Sequence, residues 1–220
     1  INPRDNLENL PPDYIKELEN LPARMRLRFL EGKFADIAAG ALWNVEMIDT
    51  HRETSGLPDM LRVVVSVDPS GSGDTDNAGN DEIGIVVAGL GIDGRAYVLE
   101  DCTMKAGPSV WANVVATAYD RHAADLVVAE KNYGGEMVRH VIKSANPHLK
   151  CELINASRGK AVRAEPVSAL TEQGKIRFGG TFPELEDELC SMTTNGYMGE
   201  RSPNRADAFV WAMTKLFPGI

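Results

Sequence analysis

The chain has 220 residues, of which 43% are hydrophobic and 25% are charged, and its net charge is −9 at pH 7. A chain of this size can bury one substantial core, and no apolar run reaches the roughly 20 residues that a membrane-spanning helix needs. Proteins that bind nucleic acid on their own usually carry a basic surface. The acidic balance therefore predicts weak DNA binding by this chain alone, unless a local basic rim, a metal site or another domain assists.

The first 60 residues differ in character from the rest. Apolar residues between Leu18 and Ile37 have helical spacing, which predicts helices that pack on another unit. The polar stretch 51–60 contains Gly and Pro, as linkers do. We therefore predict a helical lead-in and linker over residues 1–60 and one α/β domain over residues 61–220. The polar, proline-bearing start does not resemble a signal peptide.

Cysteine usage indicates a reducing compartment. The chain has three cysteines, an odd number, and they are far apart in the sequence: Cys102, Cys151 and Cys190. This argues against a disulfide framework and against a clustered zinc site. The four histidines show no metal-ligand spacing either, and we assign them no role.

After residue 60 the pattern becomes that of strands and connecting helices. Three strands come first, as a meander with a hairpin turn over residues 91–94, and later strands alternate with helices. The predicted strands are 61–67, 82–90, 96–102, 126–130, 151–156 and 175–178. The predicted helices are 108–122, 135–144, one that ends near Gly174, 183–190 and 203–217. This order is typical of an α/β domain.

Three acidic residues are candidates for one shared site, and two of them stand where an α/β sheet exposes its ligand-binding edge. Asp68 directly follows the first predicted strand, Glu130 ends the fourth, and Asp207 lies in the first turns of the last helix. Carboxylates from distant segments suit magnesium or manganese, and two such ions could carry out phosphodiester hydrolysis without a covalent intermediate. A structural explanation stands beside this one, because an Asp at a strand end often forms a turn and an acid near a helix N-terminus is stabilised by the helix dipole.

Four segments, in this order, carry a resemblance to a known family: VVVSVDPSGSGDTDNAGNDEIGIVVAG, LVVAEKNYGGEMV, RAEPVSALTEQGKIRFGGTFPELEDELCSM and SPNRADAFVWAMTKL. Together they resemble the nuclease domain of tailed-bacteriophage terminase large subunits over residues 62–217. The resemblance implies a ribonuclease H-like α/β fold, with a mixed central sheet that is first an antiparallel meander and then parallel strands, flanked by helices. The stretch before residue 44 resembles the end of the packaging ATPase in these proteins.

The resemblance implies a metal-dependent endonuclease that cuts concatemeric double-stranded viral DNA during genome packaging. The family's three catalytic, metal-binding acids fall on Asp68, Glu130 and Asp207. The implied cofactors are Mg²⁺ or Mn²⁺, with two ions expected. The implied partners are DNA, the packaging ATPase domain of the same protein, the small terminase subunit and the portal, with no membrane. The implied location is the host cytoplasm and not the mature virion. The GxxxxGK[ST] phosphate loop is missing from the sequence, so we expect a fragment that lacks the ATPase.

Further residues are weaker candidates. The expected auxiliary ligands or phosphate contacts are Asp81, Glu82, Lys131 and Asn132, and the expected DNA-binding residues are Arg158, Lys160 and Arg163. A solvated loop, a plain strand-to-helix connection and a solvated helix face explain the same residues without a function. Trp111 and Trp211 lie on apolar helical stripes, so we predict that they are core residues and not base-stacking platforms.

Three other functions fit parts of the sequence. A Holliday-junction resolvase or a transposase-like nuclease of the same fold would use a similar acidic trio, although the segments after Arg163 favour the terminase. An actin-like phosphotransferase could use the loop DPSGSGDTD, but that fold needs a second, related half. A non-catalytic module that docks the DNA-packaging motor on the portal would need the acids only for structure.

Overall fold

The computed structural model describes residues 11, 13–19, 39–69, 82–131, 136–156, 158–199 and 201–219. The helices within these residues are α1 (Tyr14–Glu19), α2 (Val45–Thr50), α3 (Pro108–Arg121), α4 (Glu136–Ala145), α5 (Lys160–Glu172), α6 (Pro183–Ser191) and α7 (Asn204–Leu216). The strands are β1 (Met60–Asp68), β2 (Gly84–Gly91), β3 (Ala96–Asp101), β4 (Leu126–Glu130), β5 (Cys151–Ile154), β6 (Ile176–Phe178), β7 (Met192–Thr193) and β8 (Gly196–Tyr197).

A six-stranded mixed sheet forms the centre of the fold, in the order β5-β4-β1-β2-β3-β6. The strands β1, β2 and β3 are an antiparallel meander. β4 is parallel to β1, β5 is parallel to β4, and β6 is parallel to β3. The predicted fold class is thus confirmed, and each of the six predicted strands is present. The two-stranded β7-β8 hairpin was not predicted.

Helices cover both faces of the sheet, because the central strands are apolar on both sides. Along β1 the side chains alternate: Val63, Val65 and Val67 pack in a cluster with α3 and α4, whereas Val64 packs in the cluster of α5, α6 and α7. A strand buried on both faces reads as a continuous apolar run, as VVVSV does. The helix α7 lies across β1 and β2, and this placement brings the C-terminal helix to the edge of the sheet where β1 ends.

Residues 41–53 pack against the same core. Trp43 is fully buried, and its indole N–H donates to Thr171 Oγ1 at 3.1 Å. Arg52 pairs with Glu186 at 2.8 Å, and the Glu53 amide donates to the Phe178 carbonyl. The start of the predicted linker therefore forms polar contacts with α6 and β6. The division of the chain at residue 60 stays a prediction.

The described residues also include neither a membrane-spanning helix nor a disulfide bond. No helix among them is long and apolar enough to cross a membrane. Among the described residues, Cys102, Cys151 and Cys190 form no disulfide bond.

Candidate active site

Two of the three predicted acids end neighbouring parallel strands. Val67 of β1 is in register with Ala129 of β4, and both pack against the α3 and α4 side of the sheet. The next residues along the two strands are Asp68 and Glu130. Because successive side chains of a strand alternate between faces, both carboxylates belong to the face that α7 covers.

The third acid reaches this edge because α7 approaches the sheet closely at a glycine. Asp68 pairs with Gly84 of β2, and a Cβ atom added to Gly84 would lie 2.0 Å from the carbonyl oxygen of Asn204, the first residue of α7. Only a residue without a side chain permits this contact. The absence of a side chain at Gly84 thus lets the first turn of α7, which carries Asp207, lie against the end of β1.

Polar contacts hold the first turn of α7 in place. The Asn204 amide group donates to the Glu82 carbonyl at 2.8 Å, and the Ala206 backbone N–H donates to Glu188 Oε2 at 2.9 Å. The Arg205 guanidinium pairs with three carboxylates, those of Glu82, Asp101 and Glu188. The residues next to Asp207 therefore hold α7 to the segment before β2, to β3 and to α6.

Two of the three acidic side chains are buried. Asp68 is 8% exposed and Asp207 is 2% exposed. Burial, the Asp207 carboxylate and the Glu130 carboxylate together raise the pKa of Asp68 to about 8. Burial also raises the pKa of Asp207, against the opposing effect of Lys160 and Arg163. Carboxylates that perturb one another in this way are frequent at functional sites.

Two cations on α5 face Asp207. The Lys160 ammonium pairs with Asp207 Oδ2, and Arg163 Nη2 lies 3.8 Å from Oδ1. Both were predicted as DNA-binding residues, and the structure places them beside the acidic trio. The Arg163 side chain is only 11% exposed, and its Nε and Nη1 atoms have no hydrogen-bond partner among the described residues.

Trp211 contacts the site from α7. Its indole N–H donates to Glu130 Oε2 at 3.1 Å, and the Arg163 guanidinium carbon lies 4.2 Å from the ring centroid. Trp211 is 5% exposed, so the prediction that it belongs to the core is confirmed. The hydrogen bond to Glu130 was not predicted.

The donor set has the chemistry of a divalent-cation site. Asp68, Glu130 and Asp207 supply hard oxygen donors. Burial, followed by repulsion from Asp207 and Glu130, raises the pKa of Asp68, and a cation among the three acids would offset both effects. Within the part of the chain that the structure describes, however, no three His, Cys, Asp or Glu side chains are arranged to hold an ion as they stand. The Lys160 ammonium supplies the positive charge at Asp207 instead.

The remaining candidates are placed as follows. Glu82 pairs with Arg205. Lys131 is exposed, and its backbone N–H donates to the Ile154 carbonyl at 2.7 Å. Arg158 is exposed, two residues before α5. Asp81 and Asn132 lie outside the described residues, and the roles assigned to these five residues stay predictions.

The sequence spacing of Trp211 and Arg163 indicates that both can reach the site. Trp211 is four residues after Asp207, and Arg163 is three residues after Lys160. These are the spacings that place two side chains on one face of a helix. A tryptophan one helical turn from a candidate metal ligand therefore indicates a contact to the site. No sequence signal distinguishes Gly84 from the other glycines.

The strand order, with carboxylates at the carboxyl end of β1 and β4 beneath a C-terminal helix, defines a ribonuclease H-like domain. The sequence matches the family described as the terminase RNaseH-like domain over residues 65–216. This match covers more than half of the chain, so the chain belongs to that family. No curated protein sequence matches it.

Solved structures of phage terminases share the fold. The cobalt-bound large terminase nuclease from thermophilic phage G20c superposes with a TM-score of 0.59 and 14% identity, over 81% of this chain and 98% of that one. The P22 large terminase nuclease domain superposes with a TM-score of 0.60 and 14% identity, over 82% of this chain and 95% of that one. The large terminase of another thermophilic bacteriophage, solved in complex with ADP, superposes with a TM-score of 0.62 and 13% identity. The superposition covers 99% of this chain but 55% of that one.

Proposed function

We propose that this chain is the divalent-metal-dependent endonuclease domain of a phage large terminase and cuts concatemeric double-stranded DNA during genome packaging. The observation that carries the proposal is the convergence of Asp68, Glu130 and Asp207 at one edge of the sheet, with the pKa of Asp68 raised to about 8 by burial and by the other two acids. Buried carboxylates that repel one another are costly. The donor set therefore favours a cation as its ligand.

Asp68, Glu130 and Asp207 would hold the metal, with Mg²⁺ or Mn²⁺ and two ions expected from the resemblance. When bound, the ions would supply activation of the attacking water and stabilisation of the leaving 3′-oxygen. The cobalt-bound state of the G20c nuclease supports the use of a divalent ion. The residues of the chain then have the task of holding the ligands rigidly, which the contacts of Arg205 and Gly84 support.

Lys160 and Arg163 are proposed to contact the scissile phosphate. The Arg163 side chain is mostly buried at the site, and two of its guanidinium nitrogens lack partners among the described residues. A phosphate oxygen could accept from them, since a guanidinium matches phosphate geometry. Release of Lys160 from Asp207 when a metal binds would provide a second cation. Arg158, exposed before α5, would extend the contact along the backbone.

The cutting domain is proposed to work as one part of a larger packaging machine in the host cytoplasm and not in the mature virion. The chain spans 55% of the length of the thermophilic-phage large terminase that was solved with ADP. We propose the packaging ATPase domain of the same protein, the small subunit and the portal as its partners. Because the net charge is −9, we expect weak, salt-sensitive cleavage when the chain acts alone.

Plasmid cleavage tests the proposal. Supercoiled DNA is incubated with the protein and Mn²⁺, Mg²⁺ or a chelator, and nicked and linear products are measured on gels. We expect cleavage with metal and none with chelator, and we expect Asp68→Asn to lose activity because it removes a ligand charge at nearly constant volume. Glu152→Gln is the matched control, since Glu152 is an exposed acid that pairs with Lys215. Cleavage by Asp68→Asn at the wild-type rate, or cleavage in chelator, contradicts the proposal.

A further inference from the structure

We propose that Trp211 is a positioning residue of the active site, which fixes the Glu130 carboxylate through its indole N–H and holds Arg163 against Asp207 through its ring. This inference rests on the proposed function, because it assigns Trp211 a role toward the metal ligands.

The geometry gives Trp211 contacts to two different parts of the site. Its Nε1 donates to Glu130 Oε2 at 3.1 Å, and its ring lies under the Arg163 guanidinium at 4.2 Å. Arg163 Nη2 lies 3.8 Å from Asp207 Oδ1. A single side chain therefore connects the acid that ends β4 to the acid on α7. Because Trp211 follows Asp207 by four residues, both project from the same face of α7.

Packing alone does not account for these contacts. A phenylalanine would fill most of the same space, whereas a buried indole needs an acceptor for its N–H. Trp43 satisfies this need with the neutral Thr171 hydroxyl. Trp211 uses the carboxylate of a proposed metal ligand. A hydrogen bond to a charged acceptor is roughly twice as strong as a neutral one, so it restricts the Glu130 side chain effectively.

The arrangement leaves Glu130 prepared for a second ligand. Trp211 engages Oε2, and Oε1 keeps its lone pairs for a metal. Holding the carboxylate in one orientation before binding removes part of the entropy cost of ordering it. The Arg163 guanidinium is similarly confined, because a cation over an indole face is attracted to the ring. Its Nε and Nη1 atoms, which have no hydrogen-bond partner within the described part of the chain, are thus kept beside the acids.

Trp211→Phe separates the two contacts, since it keeps an aromatic ring under Arg163 but removes the donor to Glu130. We expect Mg²⁺ binding, measured by titration calorimetry, to weaken about tenfold, as the loss of one charge-assisted hydrogen bond implies. We expect the kcat for plasmid cleavage to fall with little change in the KM for DNA. Trp43→Phe is the matched control: it loses the N–H bond to Thr171, and should lower the Tm while leaving Mg²⁺ affinity unchanged.

A measurement on the unaltered protein protects the test against a variant that fails to fold. The chain has 3 tryptophans, and each contributes one indole N–H signal to a ¹H–¹⁵N spectrum. We expect Mg²⁺ to shift the Trp211 signal, which is assigned by elimination with Trp43→Phe and Trp111→Phe. A Trp211 signal that does not move at saturating Mg²⁺ overturns the inference, as does Mg²⁺ binding by Trp211→Phe at wild-type affinity. Absence of Mg²⁺ binding to the wild type would instead overturn the proposed function, and the inference with it.

Discussion

Replacement of Gly84 by alanine tests whether the close approach of α7 sets the position of Asp207. The added Cβ would lie 2.0 Å from the Asn204 carbonyl oxygen, 2.5 Å from its carbon and 3.3 Å from the Ala208 Cβ. Two of these atoms are backbone, so the start of α7 has to retreat by about 1 Å before the contact becomes tolerable. Overpacking of this kind costs about 1–3 kcal/mol of the free energy of unfolding. A misplacement of about 1 Å at an active site can cost about 100-fold in rate.

The assay for Gly84→Ala combines urea unfolding with plasmid cleavage in Mn²⁺ at a temperature where the variant is folded. We expect the loss of cleavage to exceed what the unfolded fraction explains, because the folded molecules carry a displaced Asp207. Gly107→Ala is the control: a Cβ at Gly107, the N-cap of α3, meets nothing within 4 Å, so stability should fall by at most about 1 kcal/mol with cleavage intact. Wild-type stability and cleavage in Gly84→Ala would refute the reasoning.

Three further substitutions have expected outcomes. Lys160→Met should raise Mg²⁺ affinity at least about fivefold in calorimetry, because it removes a competing unit charge from Asp207. The control Lys215→Met, at the other end of α7, should leave Mg²⁺ affinity unchanged. Equal effects of the two substitutions would contradict the expectation. Ser66→Ala should leave the free energy of unfolding unchanged or raise it by up to about 1 kcal/mol, because the buried Ser66 Oγ lacks a partner among the described residues. A clear decrease in the free energy of unfolding, measured with urea, would show that Ser66 Oγ does form a hydrogen bond. Arg52→Ala should lower the free energy of unfolding by about 2 kcal/mol in the same experiment, because it leaves the mostly buried Glu186 carboxylate without its cation. DNA cleavage should be unchanged. Unchanged stability would show that the contact of Arg52 with α6 does not stabilise the fold.

The sheet could be predicted from the sequence because its strands carry strong local signals. VVVSV and LVVA are mostly apolar, valine-rich runs bounded by charged residues, and both lie in strands buried on two faces. The meander followed from the short turn between β2 and β3. The lateral order of the strands depends on long-range pairing, which local pattern does not encode. The hairpin of β7 and β8, with two residues in each strand, is too short to give a period.

The candidate site was only partly predictable for the same reason. A carboxylate at a strand end is visible in the sequence, so Asp68 and Glu130 stood out as candidates. The surroundings of Asp207 depend on how α5 and α7 pack. Lys160 and Arg163 were therefore recognised as basic residues, but their position beside the trio was not foreseen. Trp211 was assigned to the core from its apolar stripe, and its hydrogen bond to Glu130 depends on the neighbouring strand.

Crystals of the chain soaked in Mn²⁺ test most directly whether the three acids form one metal centre. Anomalous scattering from manganese locates the ion independently of the protein density. We expect a peak bound by Asp68, Glu130 and Asp207, with the Lys160 ammonium moved away from Asp207, and we expect the Asp68→Asn variant to lose or weaken that peak. A fully soaked crystal with no anomalous peak among these side chains, or with manganese only at other carboxylates, would contradict the proposed nuclease site.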